Sequence, residues 1–549
     1  MPTVSAHVAL TLAQHVDAVF GVMGNGNAYF LDAIETQTDA VFTAVRHEQG
    51  AVVAADAHFR ASGRIAAGTS TYGAGFTNTL TALAEAVQAH VPLVLVVGDE
   101  PTSGPRPWDV DQIALASAVG ARTYTVGRAD AAATTVIAIE HALTYRVPVV
   151  LAIPYDVAAL EAGEVPEAPA PRIPAALAPR GEFADAMLDE IAAALAGAER
   201  PFLLAGRGAW LSGASAALGE LAAATGALTA SSALGRGVFP DTRYDLGVTG
   251  GFGADGAMEL VRTADVAVVF GAALNQFTMR FGELFAPGTR VFQIDIAPAA
   301  THAHVGGFVR ADARLAAEEL VARIGSAGSA TPWRETVDVA SARTYDAGDE
   351  LAPDGRLDPR SAARRIAELL PEDRVVVSDG GHFIGWANMY WPVAAPDRMM
   401  MVGTAFQSIG QGWPSVVGAA LARRDSTVVL TSGDGGGLMA IADLESAVRA
   451  AGGRGMAVVW NDAAYGAEVN LYGLKGLAEG PMRIPEVDFA AFGAAVGAEG
   501  VVVRTLADLD RLASWTEEDA ATRPFLLLDL RISGDVIAPY QQEIIRVNS

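Results

Sequence analysis

The chain has 549 residues, no cysteine and a formal net charge of −25 at pH 7. At about 150 residues per domain, this length predicts three or four domains. The lack of cysteine excludes a disulfide framework and a cysteine nucleophile. The acidic charge disfavours binding to nucleic acids and anionic membranes. No apolar run reaches the roughly 18 residues that span a bilayer, and the N-terminus does not resemble a secretory signal, so we expect a cytoplasmic protein without a membrane partner.

Residues 1–164 alternate strand-like apolar runs with helical patterns. The apolar runs lie at residues 19–22, 41–45, 65–68, 91–97 and 147–153. Because this alternation implies helical crossovers between neighbouring strands, it predicts an α/β domain with a parallel sheet covered by helices. Residues 165–179 contain five prolines. That density prevents regular helix or sheet and predicts an extended linker.

A second domain is predicted at residues 181–324. It has strand-like runs at residues 202–205, 266–270 and 291–296. The polar stretch at residues 325–356 is interpreted as a second linker. The remaining residues, 357–549, form the third predicted domain.

The most informative motif lies in this third domain. A strand-like run at residues 427–431 is followed by Ser-Gly-Asp-Gly-Gly-Gly at 432–437, a helical pattern at 438–451, and a second strand-like run at 456–460. Glycines at the start of a helix let backbone N–H groups approach a phosphate. Asp434 and Asn461, 27 residues apart, follow the two strands and could give oxygen ligands to Mg²⁺. The pattern therefore predicts a metal-bridged diphosphate site.

Gly433-Asp434-Gly435 followed by Asn461 resembles the signature of the thiamine diphosphate (ThDP)-dependent enzymes. Four more segments resemble motifs of this family in the family's order, at residues 45–51, 73–78, 93–99 and 403–410. The resemblance covers nearly the whole chain. It implies that the first and third domains share one fold and together hold ThDP, the first binding the aminopyrimidine and the third the diphosphate with Mg²⁺. The central domain is similar to the family's non-catalytic domain.

In the first domain, the resemblance makes Glu48 the principal catalytic residue. Its carboxyl group would hydrogen-bond to N1′ of the pyrimidine and favour the imino tautomer, which is acid–base catalysis through a cofactor. Gly75 and Asn78 of the 73–78 turn are expected to bind the cofactor as well. The alternative is that Glu48 is only the first-turn acid of a helix at residues 49–61, stabilised by the helix dipole.

In the third domain, the resemblance implies that Ile409 separates the two cofactor rings and that the Gln407 carbonyl accepts from the 4′-amino group. The alternative for Ile409 is a core isoleucine in a turn. The other expected contacts are with the diphosphate or substrate, from His382, Gly433, Gly435, Gly436 and Tyr465.

The metal ligands depend on the register of the chain after the second strand. The spacing favours Asp434, Asn461 and the carbonyl of Ala463. Alignment on Tyr465 would instead give Asp462 and the carbonyl of Ala464. We prefer Asn461, because helix length fixes the strand spacing whereas the following loop can absorb one residue.

Gln112 and Glu468 are interpreted as catalytic residues near the reacting carbon, although Glu468 could equally be a solvated helix residue. The overall pattern is most similar to acetolactate synthases and related carboligases and lyases. It implies decarboxylation of a 2-oxo acid such as pyruvate and carbon–carbon bond formation with an aldehyde or ketone. The first domain lacks the paired histidines of decarboxylases of the pyruvate decarboxylase type, which favours ligation.

The alternatives are a decarboxylase or 2-hydroxy ketone lyase without ligation, and a non-catalytic subunit. FAD is possible, but it is not expected, because residues 271–277 lack the family's usual FAD-associated run. A homodimer or homotetramer is expected, because family members pair the two cofactor-binding domains between chains.

Overall fold

The structure is a computed structural model that describes residues 1–325 and 332–548. It contains three six-stranded sheets, and all strand pairs recorded within them are parallel. Alternate residues of the long strands face two different apolar clusters. In the first domain, Leu93, Leu95 and Val97 face one cluster, and Val94 and Val96 face the other. Both faces of the sheet are therefore buried, as in helix-covered parallel sheets. The three-domain α/β prediction is confirmed.

The first domain has the strand order β2-β1-β3-β4-β6-β5. The edge strand β5 was not predicted, because its sequence Arg-Thr-Tyr-Thr is polar and its residues are half-exposed or exposed. The strands are β1 (Ala18–Gly21), β2 (Val41–Ala44), β3 (Ala67–Ser70), β4 (Leu93–Asp99), β5 (Arg122–Thr125) and β6 (Pro148–Pro154). The helices are α1 (Val4–Leu12), α2 (Ala28–Gln37), α3 (Glu48–Ser62), α4 (Ala74–Thr77), α5 (Leu80–Gln88), α6 (Gln112–Ala118) and α7 (Ala131–Tyr145).

The central domain has a different order, β12-β11-β10-β7-β8-β9. Three of its strands, β8, β9 and β12, are short or glycine-containing and were not predicted. The strands are β7 (Pro201–Ala205), β8 (Leu228–Ser231), β9 (Asp245–Val248), β10 (Val266–Phe270), β11 (Arg290–Asp295) and β12 (Val305–Arg310). The helices are α8 (Glu182–Ala196), α9 (Arg207–Leu211), α10 (Ser215–Thr225), α11 (Asp255–Arg262), α12 (Ala313–Ile324) and α13 (Val339–Ala342).

The third domain repeats the first, with the order β14-β13-β15-β16-β18-β17. The shared fold implied by the resemblance is therefore confirmed. The strands are β13 (Arg374–Ser378), β14 (Met399–Met401), β15 (Thr427–Gly433), β16 (Gly455–Asn461), β17 (Glu499–Val503) and β18 (Leu526–Arg531). The helices are α14 (Pro359–Leu369), α15 (Ile384–Tyr390), α16 (Gly412–Ala422), α17 (Asp434–Met439), α18 (Leu444–Ala451), α19 (Gly466–Glu468), α20 (Phe489–Ala495), α21 (Asp510–Glu517) and α22 (Pro539–Asn548).

The structure corrects two predictions about local structure. The pattern at residues 438–451 predicted one helix, but the chain forms α17, a 3₁₀ turn at Ile441–Asp443, and α18. The break occurs where Asp443 accepts hydrogen bonds from the backbone N–H of Arg46 (2.7 Å) and the hydroxyl of Ser446 (2.8 Å). The predicted second linker also contains the short helix α13, since Val339 is buried against the central domain. Residues 326–331 of that linker lie outside the described residues.

The first and third domains pack directly on each other through α3 and α16. A Cβ atom at Gly418 would collide with the carbonyl of Ala54, so glycine allows the two helices to approach closely. A buried ion-pair network reinforces this contact. Arg60 pairs with Asp56 and Glu85, and it also donates to the Met401 carbonyl of the third domain (2.9 Å). Among the described residues, no helix is long and apolar enough to cross a membrane.

Candidate active site

A glycine-lined loop lies at the carboxyl end of β15, where parallel α/β sheets place their ligands. Gly433 ends the strand, and Asp434 begins α17. A Cβ atom at Gly435 would lie 2.7 Å from the Tyr465 ring, and one at Gly436 would lie 2.7 Å from the carboxylate of Asp379. Side chains therefore cannot replace these glycines without displacing their neighbours. The structure brings Gly433, Gly435, Gly436 and Tyr465 together in one loop cluster.

Asp434 is buried in this cluster with one carboxylate oxygen unsatisfied. Its Oδ1 accepts from the backbone N–H of Gly435 (2.9 Å), whereas its buried Oδ2 has no hydrogen-bond partner. Burial and the neighbouring charge of Asp462 raise the pKa of Asp434 to about 7. A buried carboxylate with an unsatisfied oxygen lowers the stability of the fold, and a bound cation would offset this loss.

Asn461 and Asp462 point to different surroundings, although they are adjacent in the chain. The Asn461 amide donates to Asp529 Oδ1 and to the Val487 carbonyl, each at 2.9 Å. Asn461 Oδ1 is buried without a partner. Asp462 lies close enough to Asp434 for its charge to raise the pKa of that residue, and its own Oδ1 is also buried without a partner.

The two candidate carbonyls also differ in their contacts. The carbonyl of Ala463 accepts from the backbone N–H of Ile484 (2.9 Å), and Tyr465 N–H donates to the Met482 carbonyl (2.8 Å). These two bonds flank Ala464 and form its antiparallel bridge with Arg483. The Ala464 carbonyl is therefore not used in the bridge. Ala463 has a left-handed φ of 58°, an uncommon conformation for alanine that turns the chain after Asp462.

His382 links several elements of the site. Its Nε2 lies 3.1 Å from Asp462 Oδ2, and the Tyr540 hydroxyl of α22 donates to its carbonyl. Burial alone would lower the pKa of His382, but Asp462, Asp434 and Glu468 raise it above its usual value. The imidazole packs where a side chain at Gly466 would stand. Glu468 itself is exposed at the end of α19.

The loop after β14 carries Gln407 and Ile409 next to the turn after β13. Gln407 has a left-handed φ of 59°, and Ser408 N–H donates to the Gly403 carbonyl (2.8 Å), which closes the loop. Ile409 is half-buried, and its Cγ2 would lie 3.1 Å from a Cβ at Gly380. Ile409 thus faces the same turn that precedes His382.

Asp379 organises these segments, and sequence reasoning missed it. Its fully buried carboxylate accepts from the backbone N–H groups of Gly380 (2.8 Å), Gly410 (3.0 Å) and Gln411 (3.1 Å), and from the Ser432 hydroxyl (3.3 Å). It therefore ties the Ile409 loop to the glycine loop. The signal was present in the sequence, because Asp379-Gly380-Gly381 directly follows a buried strand, as Asp434 does.

In the first domain, Glu48 begins α3 and lies beside the 73–78 turn. Its Oε2 accepts from the side-chain amide of Asn78 (2.9 Å), and its Oε1 would lie 3.4 Å from a Cβ at Gly75. The structure therefore brings Glu48, Gly75 and Asn78 together. Helix α3 begins at Glu48, so the residue also occupies the first-turn position that the alternative interpretation assigned to it.

Gln112 is buried, and contacts within the first domain use both ends of its amide. Its Oε1 accepts from the N–H of Gly73 (2.9 Å), and its Nε2 donates to the Gly98 carbonyl (3.0 Å) and Asp99 Oδ1 (3.1 Å). This geometry holds the 73–78 turn against the end of β4. Gln112 therefore positions the turn that contacts Glu48. Its catalytic role stays a prediction.

The donor set near Asp434 suits a hard cation that shares phosphate oxygens. Asp434 Oδ2 and Asp462 Oδ1 are buried oxygens without partners, and oxygen ligands are those that Mg²⁺ prefers. Within residues 1–325 and 332–548, no three His, Cys, Asp or Glu side chains form a complete metal cluster. A cation here would therefore complete its coordination with backbone, phosphate or water oxygens, as Mg²⁺ commonly does.

Comparison with known proteins identifies the family. Residues 2–119 match the "Thiamine pyrophosphate enzyme, N-terminal TPP binding domain", residues 188–320 the "central domain", and residues 379–527 the "C-terminal TPP binding domain" of the same enzymes. Together these matches cover most of the chain, in the order of its three sheets.

Curated relatives have low sequence identity but match over most of their length. A probable acetolactate synthase large subunit from Methanocaldococcus jannaschii is 28% identical over 78% of this chain and 74% of its own. A sulfoacetaldehyde acetyltransferase from Roseovarius nubinhibens is 26% identical over 100% of this chain and 94% of its own.

A solved structure shows the same fold over nearly the whole chain. The thiamine diphosphate-dependent 4-hydroxybenzoylformate decarboxylase of Rhodococcus jostii RHA1 aligns with a TM-score of 0.79 and 22% identity, covering 97% of this chain and 99% of its own. At this identity the likeness concerns the fold. The three matched domains and their order show that the chain belongs to the thiamine diphosphate-dependent enzyme family.

Proposed function

We propose that the protein is a ThDP- and Mg²⁺-dependent carboligase/lyase that decarboxylates 2-oxo acids and forms a carbon–carbon bond with a second carbonyl compound. The observation that carries this proposal is the contrast between two sites on twin domains. One has buried unpartnered carboxylate oxygens beside a glycine loop, and the other has Glu48 held by Asn78. These are a cation–diphosphate site and a hydrogen-bonding carboxyl group, the two contacts that ThDP requires.

Ligation is favoured over simple decarboxylation by the relative named as an acetolactate synthase subunit. The acetyltransferase, which matches the full length of this chain, is named only for transfer of an acetyl group. The structural neighbour named as a decarboxylase supports only the fold, because its identity is 22%. A decarboxylase or 2-hydroxy ketone lyase without ligation is the second candidate.

We infer that the metal ligands are Asp434, Asp462 and the Ala464 carbonyl rather than Asn461 and the Ala463 carbonyl. The contacts support this register, because the Asn461 amide is bound to Asp529 and the Ala463 carbonyl is bound to Ile484. Asn461 and Asp462 both have a buried oxygen without a partner, but only Asp462 carries a charge that acts on Asp434 and raises its pKa. Asn461 would then position β16 against β18.

ThDP, held by the residues named below, would supply a carbon nucleophile and an electron sink for the decarboxylation of a 2-oxo acid. Glu48 would hold a proton at the pyrimidine nitrogen, and Asn78 would fix its carboxylate. Gln112 would keep the adjacent turn in place. Ile409 would position the cofactor from the third domain, with the Gln407 carbonyl beside it. His382 would orient Asp462, and Glu468 would face the substrate.

Two further points belong to this proposal. FAD is not expected, so activity should not require added flavin. A non-catalytic role is disfavoured, because the chain keeps Glu48 with its Asn78 contact in the first domain and Asp434 with the glycine loop in the third domain. The experiment is to incubate the protein with ThDP, Mg²⁺ and a panel of 2-oxo acids, with and without aldehyde or ketone acceptors. Hydroxy ketone or acetohydroxy acid products would support ligation, and CO₂ with free aldehyde would support a decarboxylase. No turnover of any 2-oxo acid would refute both of these activities, and cleavage of a 2-hydroxy ketone added in place of the 2-oxo acid would then identify a lyase.

We also propose a homodimer or homotetramer in which Glu48 of one subunit serves the cofactor held by Asp434 of another. Large apolar side chains beside the site support this assembly. Trp108, Phe406 and Met439 are exposed by 60%, 49% and 57%, respectively, and their burial against another subunit would remove apolar surface from water. Light scattering should show at least a dimer at assay concentrations. A fully active monomer would contradict the shared site.

A further inference from the structure

A second cavity lies at the opposite end of the third-domain sheet from Asp434. It has a volume of about 290 Å³ and lies between β2 of the first domain, the start of β15, and the C-terminal ends of α16 and α18. Asp434 follows the other end of β15, a strand of seven residues. At roughly 3.3 Å per residue, the cavity is about 20 Å from the candidate active site.

The walls of this cavity carry four arginines and no acidic residue. The arginines are Arg423, Arg424, Arg449 and Arg454, and Thr43 contributes a hydroxyl group. The floor is apolar and includes Leu421 and Ala450, both half-buried. This concentration of positive charge stands out in a chain whose net charge is −25.

Two of the four arginines have structural partners. Arg423 follows the end of α16, pairs with Asp397 and donates to the Ala61 carbonyl (2.7 Å). Arg449 lies in the last turn of α18, pairs with Glu445 (2.9 Å) and donates to the Ala44 carbonyl (2.6 Å). Cations near helix C-termini are stabilising, so fold stability explains these two residues.

The other two arginines have no comparable explanation. Arg454 donates to the Asp425 carbonyl (2.6 Å), and Arg424 is exposed. Neither forms an ion pair with any residue in the described ranges. Two guanidinium groups without counterions therefore line a cavity that also has an apolar floor.

We propose that this cavity binds a small phosphorylated molecule, with its phosphate dianion between Arg424 and Arg454 and its apolar part on the floor formed by Leu421 and Ala450. Two uncompensated positive charges match a dianion better than a monocarboxylate. Guanidinium groups present paired N–H donors that suit phosphate oxygens, and the Thr43 hydroxyl adds a further donor. The proposal concerns a site separate from the cofactor site and does not depend on the proposed activity.

Isothermal titration calorimetry with phenyl phosphate tests this site. The titration uses the full chain, both cofactor-free and saturated with ThDP and Mg²⁺, and benzoate is the monoanionic comparison. We expect saturable binding of phenyl phosphate, weaker binding of benzoate, and no effect of ThDP. The double variant Arg424→Gln/Arg454→Gln should weaken binding by roughly tenfold or more for each guanidinium lost.

The control variant Arg180→Gln/Arg364→Gln removes the same charge from two exposed arginines outside the cavity. It should bind phenyl phosphate like the wild type. The proposal is overturned by no saturable binding to the wild type, by equal binding to the Arg424/Arg454 variant, or by competition with ThDP. Equal weakening in both variants would overturn it too, because the binding would then follow net charge alone.

Discussion

In the first domain, the polar side chains at the carboxyl end of the sheet satisfy one another, whereas in the third domain several buried oxygens have no partner. Gln112 and Glu48 both hydrogen-bond within the first domain. Asp434 and Asp462 each keep a free buried oxygen in the third domain. The strand order of the two domains is the same. The shared strand order places both sets of polar side chains at the same edge of their sheets, and the unpartnered oxygens of the third domain are the basis for proposing a cation there.

The strongest test of this contrast removes the cation site. Asp434→Ala should abolish Mg²⁺-dependent binding of ThDP, because the remaining oxygens cannot hold a hard cation against water. Breaking a buried charge interaction typically costs about 3–5 kcal/mol, which corresponds to a loss of affinity of more than about 100-fold. Calorimetry of ThDP with Mg²⁺ measures this loss. Unchanged affinity would show that the metal binds elsewhere.

A paired substitution separates Asp462 from Asn461. Asp462→Ala should lower the affinity for Mg²⁺ and ThDP and leave the fold intact, because it removes one of two neighbouring like charges. Asn461→Ala should lower the free energy of unfolding by about 1–3 kcal/mol, because the Asp529 carboxylate loses a buried donor. Its cofactor affinity should stay near that of the wild type. The reverse result in calorimetry and urea unfolding would restore the Asn461 register.

Two near-isosteric exchanges test the supporting residues of the two domains. Asp379→Leu leaves three backbone N–H groups and the Ser432 hydroxyl without their acceptor, and Gln112→Glu places a carboxylate against the Gly98 carbonyl and Asp99. Each should cost about 1–3 kcal/mol in urea unfolding. Gln88→Glu, at an exposed position of α5, controls for the added charge. Stability equal to that of the control would mean that these contacts do not hold the loops.

Most of the fold could be predicted from local sequence patterns. Long apolar runs such as residues 91–97 predict buried strands, because both faces of the sheet are covered. Strand β5 could not be predicted this way, since a polar edge strand depends on its neighbour for pairing. The helix break before α18 also depends on a distant contact, between Asp443 and the backbone of Arg46.

The motifs of the candidate site could be predicted from the sequence, but the residue after β16 that faces Asp434 could not. The Gly-Asp-Gly motif and Glu48 lie directly after buried strands or at helix starts, which local patterns reveal. The choice between Asn461 and Asp462 depends on the left-handed turn at Ala463 and on Asp529, which is 68 residues away from Asn461. Spacing alone cannot show which of two adjacent side chains turns toward Asp434.

The most direct test of the shared ThDP site is deuterium exchange at C2 of the bound cofactor in Glu48→Gln. Glutamine retains the shape and can still accept from Asn78, but it lacks the acid proton that favours the reactive pyrimidine tautomer. Cofactor affinity, measured by calorimetry in parallel, should change little. Quenched NMR should show exchange slowed on the order of 10²- to 10⁴-fold, the usual contribution of general acid–base catalysis. Exchange at the wild-type rate with ThDP bound would contradict the role of Glu48 and, with it, the proposed division of the cofactor between the two domains.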